Sequence, residues 1–174
     1  LRQKTDHHET VLDAVLERLH RFSSAALFIM VGSGDTKLTR LFVDIASRHE
    51  NFIFLNGYAE SLPDWLYQQG DLFLMPSSFE PCGISQMLAM REGQPCLVHG
   101  VGGLRDTVEH KQSGFVFGGS DLDEQARHLL DSLDEALATH GTDQWNDIKA
   151  RAKSRRFSWP KVAKQMQQKL YRFS

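Results

Sequence analysis

Ala25-Ala26-Leu27-Phe28-Ile29-Met30-Val31, followed directly by Gly32-Ser33-Gly34-Asp35, is the stretch on which the fold turns. Its apolar run is continuous. A strand with one solvated face alternates apolar and polar residues, whereas a strand covered by helices on both faces reads as an unbroken run. Three more such runs follow at Phe52-Ile53-Phe54-Leu55, Leu72-Phe73-Leu74-Met75 and Cys96-Leu97-Val98. Between them the apolar period changes. Val11, Leu12, Val15, Leu16 and Leu19 recur at spacings of three and four, as do Leu38, Leu41, Phe42 and Ile45, and Ile84 to Arg91 is a shorter case. Strand and helix in this rhythm imply right-handed crossovers and an α/β fold, a Rossmann-like open parallel sheet flanked by helices.

After Gly119 the pattern is helical only. Asp121 to Thr139 carries Leu122, Ala126, Leu129, Leu130, Leu133 and Leu137, and Gly141 follows its end. A second helix is expected from about Trp145 to Arg155. A third starts at Ser158-Trp159-Pro160, with Ser as N-cap and Pro in the first turn. The chain of 174 residues fits one domain and not comfortably two. We therefore expect a single unit over 1–174, an α/β core over 1–119 and helices over 120–174. The polar opening Leu1-Arg2-Gln3-Lys4 lacks an initiator Met and reads as a unit cut from something longer.

A net charge of -2 supplies no overall field to draw in nucleic acid or anionic lipid. The apolar run from Ala25 to Val31 falls far short of the ~20 residues that cross a bilayer. Two cysteines, Cys82 and Cys96, cannot build a disulfide framework, and a cytoplasmic setting is expected. The histidines show no metal-ligand spacing, so no metal is expected.

Ligands of an open parallel sheet sit at the carboxyl ends of its strands. The segments there are Gly32-Ser33-Gly34-Asp35, Asn56-Gly57-Tyr58, Pro76 to Gly83, and His99-Gly100-Val101-Gly102-Gly103. Glycine recurs along this edge, where backbone must approach a ligand closely, so Gly32 and Gly34 are candidate pocket residues. They lack the third glycine of a dinucleotide fingerprint and the lysine of a P-loop, and they also read as a plain strand-to-helix turn capped by Asp35. Pro76 to Gly83 says more. Cys82-Gly83-Ile84-Ser85 opens a helix whose free N–H groups and positive dipole end can hold a phosphate. Glu80 beside it either caps that helix or addresses something neutral or cationic. A sugar hydroxyl fits, as does the positive charge that develops when a glycosidic bond breaks.

The motifs resemble a known family. Phe79-Glu80-Pro81-Cys82-Gly83-Ile84-Ser85-Gln86 is similar to the Phe-Glu-Pro-Cys-Gly-Leu-x-Gln of bacterial glycogen and starch synthases, and Gly102-Gly103-Leu104-Arg105-Asp106-Thr107-Val108 to their Gly-Gly-Leu-x-Asp-Thr-Val. Gln3-Lys4, Gly57-Tyr58, Ser113-Gly114-Phe115-Val116-Phe117 and Phe157-Ser158-Trp159 resemble further segments, in family order along the whole chain. The resemblance implies the C-terminal, donor-binding half of a retaining glycosyltransferase of the two-domain GT-B fold, cut just after its first strand. It implies ADP-glucose or UDP-glucose as donor, the growing end of an α-1,4-glucan as acceptor through an N-terminal domain, and no metal or other cofactor.

Residue by residue, it implies that Lys4 neutralises the diphosphate leaving group, Tyr58 stacks on the base, and Glu80 holds sugar hydroxyls and supports the oxocarbenium-like state. Backbone groups of Cys82, Gly83, Ile84 and Ser85 contact glucosyl and phosphate groups, and Gly102 and Gly103 line the same pocket. Cys82 is not read as a nucleophile. The chain departs from the pattern at Thr5, Asp64-Trp65, Ser78, His99 and Val101, where the family commonly has Gly, His-Arg, Arg, Arg and Thr. Leu88 stands where related glycosyltransferases, though not the glycogen synthases, carry a second Glu. A related enzyme acting on another glycan, and a nucleotide- or sugar-binding module without turnover, are the alternatives these departures leave open.

Overall fold

The computed structural model describes residues 10–57 and 62–169. In chain order the elements are α1 (Val11–Phe22), β1 (Phe28–Gly32), α2 (Thr36–Arg48), β2 (Phe52–Asn56), α3 (Leu62–Gln69), β3 (Phe73–Met75), α4 (Ser85–Glu92), β4 (Cys96–His99), α5 (Gly102–Thr107), β5 (Gly114–Phe117), α6 (Leu122–Thr139), α7 (Asp143–Ser154) and α8 (Trp159–Lys169). All four apolar runs form strands, and α1, α2, α4, α6 and α7 fall where the periodicity places them. The fifth strand, Gly114–Phe117, forms on a segment quoted in the sequence analysis only as a motif, and α5 is a six-residue helix on a glycine-rich segment.

All strand pairs are parallel. Phe28 lies opposite Phe52, Phe73 opposite Cys96, and Cys96 in turn opposite Gly114. The expected single sheet is present in two pieces, however: β1 with β2, and β3-β4-β5 in that order. Burial on both faces holds for the second piece only. There, Leu97, Phe115 and Phe117 face α1 and α6, and the alternate set Cys96, Val98 and Val116 faces α4 and α5. In the first piece Phe28, Met30, Phe52 and Phe54 pack against Leu12 and Leu16 of α1 and against Ile45 of α2. The residues of opposite parity, Ile53 and Leu55, are 37% and 40% exposed. Among the described residues the cover lies on one face of that piece, so the apolar run of β2 overstates its burial.

The two pieces share α1. Val11 and Val15 join the core of the three-stranded sheet, while Leu12 and Leu16 join that of the two-stranded one. Residues one apart lie about 100° around a helix, so α1 serves as a wedge between the two cores.

Its N-terminus is tied down by Asp13, a buried carboxylate. The Thr10 amide and hydroxyl donate to Asp13 Oδ2 at 2.9 and 2.7 Å, and the Asp13 amide donates back to the Thr10 hydroxyl at 3.2 Å, closing a capping box. Arg48 Nη1 and His49 Nε2, at the end of α2, reach Asp13 Oδ1 at 3.0 and 2.9 Å. Burial alone would raise the carboxyl, but the Thr10 bonds, His49 and Arg48 outweigh it and hold it below its ordinary value. A carboxylate depressed in the folded state stabilises it above the unfolded value of about 3.9, and that contribution is lost as pH falls through the folded value. Asp13→Asn should therefore cost about 2–4 kcal/mol at pH 7. Denaturant titrations at pH 7 and at acid pH test this: the gap between variant and parent should narrow below about pH 4, and a gap independent of pH would refute the account.

Candidate functional site

The carboxyl ends of β3 and β4 feed two loops that grip each other. The first is Pro76 to Ile84, leading into α4, and the second is Gly100-Val101, leading into α5. The Gly103 amide donates to the Glu80 carbonyl at 3.0 Å. A Cβ on Gly103 would lie 2.2 Å from the Cys82 carbonyl oxygen, and one on Gly102 would lie 2.0 Å from that of Glu80. Gly102 also has φ +45, in the left-handed region. Both glycines are thus required by contact between two backbones, whatever ligand they line.

α4 begins without help. Asp35, Asp121 and Thr142 cap α2, α6 and α7 with side-chain oxygens, whereas no side chain caps α4. Of the two readings of Glu80, the helix cap is therefore not formed. Glu80 is half-buried at the mouth of the loop. The amino end of α4, an eight-residue helix with uncapped N–H groups, remains available to an anion. Phe79 and Ile84 flank it, 81% and 67% exposed, so the loop presents apolar side chains outward beside its polar backbone.

Three residues that the sequence analysis left without a role shape this site. His99, the last residue of β4, is buried, stacks on Phe117 at 4.9 Å and donates from Nδ1 to the Ser77 carbonyl at 2.9 Å. It pins the first loop to the central strand. Gln86 and Thr107 lie buried beneath the Cys82-Gly83 turn and join it to α5. Gln86 and Thr107 fall inside the quoted motifs, but nothing in their spacing indicates that their side chains turn inward.

The structure brings together Glu80, Cys82, Gly83, Ile84, Ser85, Gly102 and Gly103. Gly32, the last residue of β1, and Gly34 just beyond it stand on the other sheet piece, where the Asp35 cap forms as expected, its carboxylate accepting from Lys37 N and Leu38 N at 2.8 and 3.3 Å. A Cβ at either glycine would meet nothing within 4 Å. Lys4 and Tyr58 lie outside the described residues. Cys82 is exposed, while burial pushes the Cys96 thiol well above its ordinary value. Among the described residues no group of histidine, cysteine or carboxylate side chains could hold a metal, and no helix is long and apolar enough to cross a membrane.

A family profile described as "Glycosyl transferases group 1" matches residues 1–135. The chain belongs to the group 1 glycosyltransferases. Among its relatives, a glycogen synthase of Streptococcus gordonii is 39% identical over 157 residues, 84% of this chain and 32% of that protein. A glycogen synthase of Halorhodospira halophila is 38% identical over 169 residues, 92% of this chain and 35% of that one. The chain thus spans about a third of the length of these curated relatives. The catalytic domain of starch synthase IV from Arabidopsis thaliana, solved with ADP and acarbose, superposes with a TM-score of 0.75 at 27% identity, over 97% of this chain and 35% of that one. Anabaena HepE, solved with UDP-glucose, shares the fold at a TM-score of 0.64 and 21% identity, over 90% of this chain and 43% of that one. The α/β architecture with its helical C-terminal part is that of this glycosyltransferase family.

The two classes of glycine predict opposite behaviour. Gly103→Ala drives a Cβ into backbone that cannot rotate away, and should lower stability by about 1–3 kcal/mol. Gly34→Ala meets open space and should stay within about 0.5 kcal/mol of the parent. Thermal unfolding of both variants checks the pair; equal losses would refute the assignment.

Proposed function

We propose that this chain is the donor-binding half of a retaining glucosyltransferase, taking glucose from ADP-glucose or UDP-glucose and adding it to an α-1,4-glucan. The observation that carries the reading is the Glu80–Ser85 turn, with a half-buried carboxylate and an uncapped helix N-terminus a few residues apart, clamped by Gly102 and Gly103. That juxtaposition suits a nucleoside diphosphate sugar. Its diphosphate is an anion and its sugar a neutral polyol that becomes cationic as the glycosidic bond breaks.

The chemistry follows from where charge develops. When the bond between the anomeric carbon and the leaving phosphate oxygen breaks, electrons pass to the diphosphate and the sugar ring becomes oxocarbenium-like. N–H groups at the start of α4, fixed in advance, stabilise the growing negative charge. Lys4 supplies a compact cation to the same diphosphate, and Tyr58 a face for the base; both assignments rest on the motifs. The Glu80 carboxylate accepts hydrogen bonds from sugar hydroxyls and opposes the positive charge on the ring. Gly32 and Gly34 leave open space at the strand edge through which the nucleotide can pass close to backbone. The glucan hydroxyl that attacks the anomeric carbon is positioned by protein beyond this chain, for which exposed Phe79 and Ile84 offer apolar contact.

The glucan as acceptor is supported by the names of the sequence relatives, glycogen synthases at 38–39% identity. ADP as the nucleotide is supported by the starch synthase that was solved with it.

Calorimetric titration of ADP, UDP and GDP tests the donor site. Binding of ADP or UDP at micromolar to millimolar levels is expected, and no binding by any of the three would sink the reading. In the full-length protein, Glu80→Ala should reduce glucan extension by about 10²–10³-fold in kcat, the range seen when one preorganised charge-stabilising group is removed. An unchanged kcat would remove Glu80 from its assigned role.

A further inference from the structure

Gln86 is the most thoroughly enclosed polar side chain near the site, fully buried in the first turn of α4. Its Nε2 donates to the Gly83 carbonyl at 2.9 Å, the Cys82 carbonyl at 3.3 Å and Thr107 Oγ1 at 3.2 Å. Thr107 passes the link on, donating from Oγ1 to the Gly103 carbonyl at 2.8 Å. The amide therefore doubles back beneath the turn that opens its own helix and fastens that turn to α5. The other end of the amide, Oε1, is buried without a partner. It lies 2.4 Å from where a Cβ on Gly83 would sit, so a Gly83 Cα–H points at it, a far weaker contact than an N–H would make.

An orphaned buried oxygen costs about 1–3 kcal/mol. A methionine of nearly the same shape would remove that orphan but leave the Gly83 and Cys82 carbonyls without their donor. What methionine cannot supply is the donor that draws two successive carbonyls inward. In a trans peptide the C=O and the following N–H point in opposite directions. Pulling the Cys82 and Gly83 carbonyls toward Gln86 therefore turns the N–H groups of Gly83 and Ile84 the other way, toward the exposed side of the turn. Gly83 takes φ +75 to allow it.

We propose that Gln86, braced by Thr107, is a positioning residue that aims the Gly83 and Ile84 N–H groups at the diphosphate of the bound donor. This deepens the donor-site reading and rests on it. Gln86 touches no ligand itself. Its effect should therefore appear only in affinity for the phosphate that those two N–H groups hold, and leave nucleoside recognition alone.

The test compares Gln86→Met, which keeps the shape and loses the donor, with the parent in the full-length protein. Calorimetry with ADP and AMP, and with UDP and UMP, gives the ratio of diphosphate to monophosphate affinity for each. The variant should bind the diphosphate at least 10-fold more weakly while monophosphate affinity changes less than 3-fold. Thr107→Val, which breaks the brace from the other side, should show the same split in smaller degree, with Thr107→Ser restoring parent behaviour. Should a Gln86 variant fail to fold, the Thr107 pair decides. Diphosphate affinity unchanged in a parent that binds it, or equal losses for both nucleotides, would overturn the positioning role alone. A parent that binds none of them would instead sink the donor site, and this role with it.

Discussion

Two backbones in contact set the terms for the rest of this structure. The turn carrying Glu80 and Cys82 rests on Gly102 and Gly103 with no room for a side chain between, and the Gly103 amide bonds the Glu80 carbonyl across the gap. Main-chain atoms have fewer ways to yield than side chains, so the relation between the two loops is rigid. That rigidity suits electrostatic stabilisation, in which donors should already be aimed when charge develops and no reorganisation should accompany the reaction. The buried bonds of Gln86 and Thr107 extend the contact inward, and the His99 bond to Ser77 secures the outer end of the loop.

The contact needs a firm base, and β4 is that base. It is the centre of the three-stranded sheet, all four of its residues are buried, and both loops leave from its carboxyl end or from that of its neighbour β3. Alternate residues of the sheet face different helices, so β4 is held from both sides. The two-stranded piece is attached less directly, through α1 and the buried carboxylate of Asp13 that anchors α1 to the end of α2. Among the described residues, α1 is the helix shared by the cores of the unit carrying Gly32 and Gly34 and of the sheet that carries the Glu80 loop.

Much of this is legible in the residues. Continuous apolar runs marked four strands because parallel strands bury their side chains, and period-3.6 stripes marked the long helices because one face must be covered. The same logic misled where coverage was incomplete. Phe52-Ile53-Phe54-Leu55 reads as buried throughout, yet Ile53 and Leu55 face away from α1 and α2. An apolar run reports what a strand can bury, not what lies against it. Phe115-Val116-Phe117 is as long an apolar run as Cys96-Leu97-Val98 and becomes a strand as well, though it is quoted in the sequence analysis only as part of a motif.

For the site, the motifs located the turn and its partner glycines, but not the reason those glycines are needed. Glycine signals that something comes close; it does not say whether that something is protein or ligand. The structure separates the two. At Gly102 and Gly103 the intruder is the Glu80–Cys82 backbone, and at Gly83 it is the Gln86 amide. At Gly32 and Gly34 a Cβ would meet nothing within 4 Å among the described residues. Glycine costs about 0.5–1 kcal/mol of chain entropy relative to alanine in regular structure, and that cost is not offset at Gly32 or Gly34 by any contact among the described residues. At Gly102, Gly103 and Gly83 the fold itself accounts for the glycine, whereas at Gly32 and Gly34 the open space leaves that role to the proposal made above.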